Sequence, residues 1–296
     1  MKQITVLSGK GGVGKSSITA SLALTLAEEK KIICADCDVD ASNLALVFGL
    51  REKDFNEWKL FSTNEKAVLD PKKCVSCKKC LDSCYFNAIT WNEKENIPEF
   101  DGFSCEGCGA CVLTCPQKAI NLVEVKNAKI GYGKTKFGFK VVSAQLEMGE
   151  SGSGKVVAEV KKFARKKAEN AEIFLVDSAA GIGCPVIASV SGSDYVIAVT
   201  EPSPAAFADL KRALGVAEHF GVPYGLVINK YNLNQKHSQK IEKFAEENNI
   251  KILARMPYSK SFTKALVNLE PVISFDKEIK KIFSELSENL CKEIGI

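Results

Sequence analysis

Short apolar runs recur along this chain at Ile4–Ser8, Ile32–Ala35, Ile173–Val176, Val196–Val199, Tyr224–Ile228 and Ile252–Ala254. Each is short and almost continuously apolar, the pattern of a strand covered on both faces. The stretches between them repeat their apolar residues at helical spacing. Strands alternating with helices predict an α/β fold: a doubly wound, mostly parallel sheet. "FKVVSAQL" at Phe139–Leu146 predicts one added strand. The C-terminal stretch places Ile279, Ile282, Phe283, Leu286, Leu290 and Ile294 on one helical face, which predicts a last helix docked on the core. Across 62–124 the pattern changes to brief apolar runs broken by cysteines. This predicts a small inserted α+β unit between two parts of the main domain, 1–61 and 125–296.

Composition narrows the class. The 296 residues are 46% hydrophobic and 26% charged, with formal net charge +4. Lysines and arginines are scattered, so no nucleic-acid partner is expected. No run of 18 apolar residues occurs, and the N-terminus lacks the apolar stretch of a signal peptide. A cytoplasmic location away from membranes is the expectation. Twelve cysteines in such a chain point to metal or redox chemistry and not to disulfides.

Eight of those cysteines form two runs of spacing C-x2-C-x2-C-x3-C. The first holds Cys74, Cys77, Cys80 and Cys84, the second Cys105, Cys108, Cys111 and Cys115. A shift of 31 maps one onto the other, and also Ala88 onto Ala119 and Ile89 onto Ile120. This is an internal duplication. Thiolates hold iron–sulfur cubanes, four to each, whereas structural zinc uses paired C-x2-C units. Gly107 and Gly109 supply backbone freedom in the second loop, and Pro116 follows the last cysteine, where the first run has Tyr85. This stretch resembles a bacterial-type ferredoxin with two [4Fe–4S] clusters. In such ferredoxins the fourth cysteine of each run serves the other cluster. The resemblance implies Cys74, Cys77, Cys80 and Cys115 for one cluster, and Cys105, Cys108, Cys111 and Cys84 for the other.

"VLSGKGGVGKSS" at Val6–Ser17 satisfies G-x4-G-K-[ST] between an apolar strand and a helical stretch. The backbone N–H groups of Gly11, Gly12, Val13, Gly14 and Lys15 are placed to cradle phosphates, with Ser17 following in the first turn. Lys15 would reach the outer phosphates of ATP or ADP, and Ser16 would ligate Mg²⁺. "KGGVGKS" resembles the deviant Walker loop of the MinD/ParA/Mrp and nitrogenase-iron-protein superfamily. That resemblance implies a nucleotide-dependent dimer, with Lys10 reaching the partner's phosphates. It implies that Asp38 orients the attacking water, Asp177 holds the Mg²⁺ shell, Gly181 meets the γ-phosphate region, and Asn229 reads the adenine edge. Ala179 and Ala180 stand where relatives carry two prolines. Asp36 and Asp40 read equally well as functional acids or as surface and capping carboxylates.

The remaining features stay open. "GESGSGK" at Gly149–Lys155 fits a second phosphate loop or a plain glycine loop with Ser153 as a helix cap. Cys34 is expected in the core, Cys37 and Cys291 without a role, and Cys184 has no evident co-ligand. The whole chain is similar to MinD/Mrp-type ATPases carrying an inserted ferredoxin unit. The similarity implies an ATPase gating electron transfer through two clusters. Its partners would be a second copy or a paralogue, and a redox or cofactor-assembly protein. A cluster-carrier ATPase and a MinD-like positioning ATPase are the alternatives.

Overall fold

The structure, a computed structural model, describes residues 1–150 and 153–296. Strands β1 (Lys2–Ser8), β2 (Ile32–Cys37) and β3 (Phe55–Phe61) come first. Short strands β4 (Glu65–Leu69), β5 (Ile89–Asn92), β6 (Ile97–Phe100) and β7 (Ile120–Glu124) follow. Then come β8 (Ala128–Lys134), β9 (Lys140–Leu146), β10 (Ile173–Ala180), β11 (Tyr195–Thr200), β12 (Tyr224–Asn229) and β13 (Lys251–Met256). Nine of them form one sheet in the order β13-β12-β11-β1-β10-β2-β9-β8-β3. From β13 to β9 every neighbouring pair is parallel. The six expected strands are all present, and the segment expected as an added strand is β9. β3 and β8 extend the sheet on a side that the apolar pattern did not announce.

Alternation along each strand sends successive side chains to opposite faces. Ile4, Val6, Ile197, Val199 and Val227 enter one core layer, with helices Lys15–Leu26 and Lys277–Ile294. Leu7, Val196, Ala198, Leu226 and Ile228 enter the other, with helices Pro204–His219 and Gln235–Glu247. The last helix buries Ile279, Phe283, Leu286, Leu290 and Ile294, as its spacing predicts, and its Asp276 cap accepts from the N–H of Glu278 and Ile279. Among the described residues no helix is long and apolar enough to cross a membrane.

A second compact unit spans Leu60–Lys129 with a return segment from Leu146. In it β4 pairs antiparallel with β7, and β5 with β6. Its core consists of Ala67, Cys80, Ala88, Ile89, Cys105, Cys111 and Ile120. The duplication is written in the backbone. Ser76, Lys78 and Asn87 have φ of 56°, 61° and 53°, and their counterparts 31 residues on, Gly107, Gly109 and Lys118, have 65°, 76° and 48°. A Cβ at Gly107 would stand 2.1 Å from the carbonyl oxygen of Glu65. At the matching place in the first repeat, the Ser76 hydroxyl donates to the Asn96 carbonyl at 2.6 Å. The second loop therefore needs glycine where the first uses a hydrogen-bonding residue.

Candidate nucleotide site and cysteine cavities

The Gly9–Lys15 loop joins β1 to helix Lys15–Leu26. Glycine is obligatory at two of its positions. A Cβ at Gly9 would lie 2.1 Å from the Asp209 carbonyl oxygen. Gly14 has φ +94° and would set a Cβ 2.4 Å from Asn229 Nδ2. Gly11 and Gly12 are exposed, Val13 is packed in the core, and Ser16 and Ser17 are half-buried on the first helical turn. The helix thus presents its unpaired N–H end together with a polar first turn.

Three aspartates come to this end of the sheet. Asp36 and Asp177 are in register on adjacent parallel strands, and Asp38 follows two residues after Asp36. Lys15 Nζ donates to Asp177 Oδ1 at 2.9 Å and lies 3.7 Å from Asp38 Oδ2. The Thr19 hydroxyl, one turn on, reaches the same Asp177 oxygen at 2.8 Å. Burial pulls the Lys15 pKa down, but the carboxylates of Asp177, Asp38 and Asp36 outweigh it and hold the pKa above its ordinary value. Asp36 is fully buried and accepts the N–H of Asp38 at 3.2 Å and of Leu44 at 2.9 Å, one on each oxygen. Burial first, and Asp177 second, push its pKa up to about 7. Burial also raises Asp38, against the pull of Lys15. Asp36 is thus no surface carboxylate: it is buried, and its two hydrogen bonds tie the segment after β2 to the site. Buried Asp177 Oδ2, Ser8 Oγ and Ser178 Oγ have no hydrogen-bond partner. Such oxygens suit a hard, hydrated cation like Mg²⁺.

The end of β12 clamps the loop from the other side. Asn229 Nδ2 donates to the Val13 carbonyl at 2.7 Å, and its Oδ1 accepts the Lys230 N–H. Lys230 Nζ donates to Glu201 at 2.8 Å and to the Gly12 carbonyl at 3.3 Å. Glu201 also lies 3.6 Å from Lys10 Nζ, whose side chain is 42% exposed. Asn229 therefore holds the loop backbone here, whatever edge it offers a base. Gly181, with φ +97°, donates its N–H to the Ser8 carbonyl at 2.9 Å, and Ala179 and Ala180 end β10 across a register shift that sets Asp177 against Val6 and Ala180 against Ser8. Thr19, Glu201 and Lys230 escaped the sequence reading. Two signals were available: Thr19 stands four residues after Lys15 on its helix, and Glu201 follows the carboxyl end of a parallel strand.

In the "GESGSGK" segment, Ser151 and Gly152 lie outside the described residues. Ser153 caps helix Gly154–Lys167 by accepting the Val156 N–H at 3.4 Å, and Lys155 is exposed. Cys34 and Cys37 are buried, Cys184 is exposed, and Cys291 is half-buried.

In the second unit the eight cysteines sort into two cavities. One is lined by Cys74, Cys77, Cys80 and Cys115, the other by Cys84, Cys105, Cys108 and Cys111. Three cysteines of one run thus meet the fourth of the other. Burial raises the Cys80 thiol pKa, and the nearby Cys77, Cys74 and Cys115 add to the rise. Cys111 is raised the same way, by burial and then by Cys105 and Cys108. Matching N–H donors point at sulfur: Ala88 to Cys84 at 3.2 Å and Ala119 to Cys115 at 3.3 Å. Among the described residues no group of three His, Cys, Asp or Glu is set to hold a single metal ion. The four thiols of each set line one cavity, and a cubane takes one thiolate at each of its four irons.

Residues 4–272 match the family described as the CobQ/CobB/MinD/ParA nucleotide binding domain. The uncharacterized protein MJ0578 of Methanocaldococcus jannaschii is 33% identical over 291 residues, covering 97% of this chain and 96% of that one. One component of the ion-translocating oxidoreductase complex of Methanosarcina acetivorans is 49% identical over 49 residues, 17% of this chain and 18% of its own. Among solved structures, the MinD cell division protein of Aquifex aeolicus superposes with TM-score 0.61 at 18% identity, covering 99% of this chain and 98% of that one. With the phosphate loop, its buried acids and a parallel sheet of this order in one chain, the protein belongs to the CobQ/CobB/MinD/ParA nucleotide-binding family.

Proposed function

We propose that this chain is an iron–sulfur ATPase. It binds ATP with Mg²⁺ at the phosphate loop and pairs with a second subunit across the nucleotide. Pairing gates electron transfer between two [4Fe–4S] clusters in the cysteine cavities and a protein partner. The observation that carries the reading is the sorting of eight thiols into two sets of four, in a chain that also holds a complete phosphate loop. The clusters would supply one-electron chemistry. Cys74, Cys77, Cys80 and Cys115 would hold one, and Cys105, Cys108, Cys111 and Cys84 the other.

At the nucleotide, Lys15 leaves Asp177 for the outer phosphates, and the N–H groups of Gly11 to Lys15 bind their oxygens. Ser16 and Asp177 hold the Mg²⁺ shell, the first directly. Asp38, freed from Lys15, orients the attacking water. Lys10 exchanges Glu201 for the phosphates of the neighbouring subunit, which is either a second copy or a paralogue. Gly181 and Asn229 border the phosphate and base ends.

Anaerobic iron and sulfide analysis tests the clusters: about eight of each per chain is expected, four per cubane. Stoichiometric zinc, or iron near half that amount, would overturn the assignment. ATP affinity measured on oxidised and dithionite-reduced protein tests the gating, since coupling is reciprocal. Equal affinities in the two redox states would remove it.

A further inference from the structure

The two cysteine cavities are copies by sequence but not by charge. Lys72, Lys73, Lys78 and Lys79 flank the first run, and all four are exposed. Their counterparts 31 residues on are Phe103, Ser104, Gly109 and Ala110, none of them charged. The second run contributes one lysine, Lys118, whose counterpart is Asn87. Because Cys115 belongs to the first cavity, Lys118 lies close after that cavity's fourth thiol. Lys78 and Lys79 line the first cavity, and Lys72, Lys73 and Lys118 stand within three residues of its cysteines along the chain. The difference is confined to the cysteine runs themselves: 70–84 carries four lysines against Asp70 and Asp82, whereas 101–115 carries Asp101 and Glu106 and no lysine. Asp70 pairs with Lys73 at 3.3 Å, whereas Asp101 takes the Ser104 hydroxyl. Lys78 lies 3.8 Å from Glu93 and over the Trp91 ring at 4.7 Å. These two acids offset part of the charge, and the first run still holds more lysines than acids. Val75, which lines the cavity with Lys78 and Lys79, is 58% exposed, beside exposed Cys77. Its counterpart at the second cavity is Glu106, which lines that cavity.

We infer that the lysine-bearing face of the first cavity is where an acidic electron-carrier protein docks. The inference rests on the cluster reading above. An apolar centre within a polar rim is the usual layout of a docking face. Clustered rim charge acts over roughly a Debye length and speeds encounter with a partner of opposite sign. The second cavity, with Glu106 at its lining and neutral residues in place of the lysines, faces such a carrier with no attraction. Electrons would then enter or leave at Cys74, Cys77, Cys80 and Cys115 and pass between the cavities within the unit.

The test uses the cluster-loaded protein and flavodoxin, an acidic one-electron carrier, with binding read by biolayer interferometry over a salt series. The variant carries Lys72→Gln, Lys73→Gln, Lys78→Gln and Lys79→Gln. The control carries Lys236→Gln, Lys240→Gln, Lys243→Gln and Lys251→Gln, which removes equal charge far away in sequence. Iron content is measured on every sample. The expected result is Kd weakened about tenfold or more in the first variant, with a flatter salt dependence and full iron, and wild-type binding in the control. Equal weakening in both, or unchanged Kd in the first, would overturn the docking face. An oligonucleotide that displaces flavodoxin and binds the lysines more tightly would overturn it too. Absence of iron from the wild type overturns the cluster reading instead, whatever the binding shows.

Discussion

Asp36→Asn exposes the energetic tension at the nucleotide site. The carboxylate is fully buried, faces Asp177, and accepts two backbone N–H groups. Its pKa rises from 3.8 to about 7 on folding, so the folded chain binds this proton more tightly than the unfolded one. The stabilising contribution is complete below the unfolded value and is lost as pH rises through the folded value. At 1.36 kcal/mol per pH unit the total is roughly 4 kcal/mol, of which about 2–3 kcal/mol falls between pH 5 and 8. Asparagine does not titrate, but it offers one acceptor oxygen to two N–H groups and orphans one, at about 1–3 kcal/mol. The wild type should therefore be the more stable protein at pH 5, and the variant level with it or ahead at pH 8. Urea denaturation of nucleotide-free protein, followed by circular dichroism at several pH values, measures the difference. A gap between the two proteins that stays constant from pH 5 to pH 8 would refute the reasoning.

Three further outcomes are expected. Gly107→Ala forces a Cβ onto the Glu65 carbonyl at a left-handed position, so iron content should fall to about half or the unit should unfold, whereas Ser76→Gly keeps its iron. Asn229→Ala frees the Val13 carbonyl and should raise the Kd for ATP about tenfold by calorimetry, the loss of about one buried hydrogen bond. Lys10→Ala should bind ATP yet stay monomeric in analytical ultracentrifugation with ATP, since the Lys10 side chain, 42% exposed, pairs with half-buried Glu201 and can leave it for a neighbouring subunit.

The sheet was legible where strands are covered on both faces. β1, β2, β10, β11 and β12 are almost wholly buried, and uninterrupted apolar runs announce such strands. β3 was not legible. In "FNEWKLF" only Phe55, Trp58 and Phe61 are half-buried, a three-residue spacing that reads as helix, and pairing with β8 decides the matter. The phosphate loop and the eight cysteines were legible because fixed chemistry demands fixed spacing. The roles of Glu201, Lys230 and Thr19 were not, because each depends on a neighbour distant in sequence or on one turn of helix geometry. The sorting of cysteines followed from resemblance alone, since spacing within a run does not say which run supplies the fourth thiol.

The crossed cysteines also bear on how long the protein survives. Three of the buried residues in the core of the Leu60–Lys129 unit are themselves cysteines, and little else is buried there. A core this small rarely holds a fold without a staple. A cluster bridging Cys80 to Cys115, and another bridging Cys84 to Cys105, would close two overlapping loops, each from one repeat into the other. Neither half can then be secured alone, and folding and loading become a single event. A chain left without iron would expose this unit first to proteases. Its half-life would follow the supply of iron and sulfide, and limited proteolysis before and after chelation would show cleavage beginning between Leu60 and Lys129.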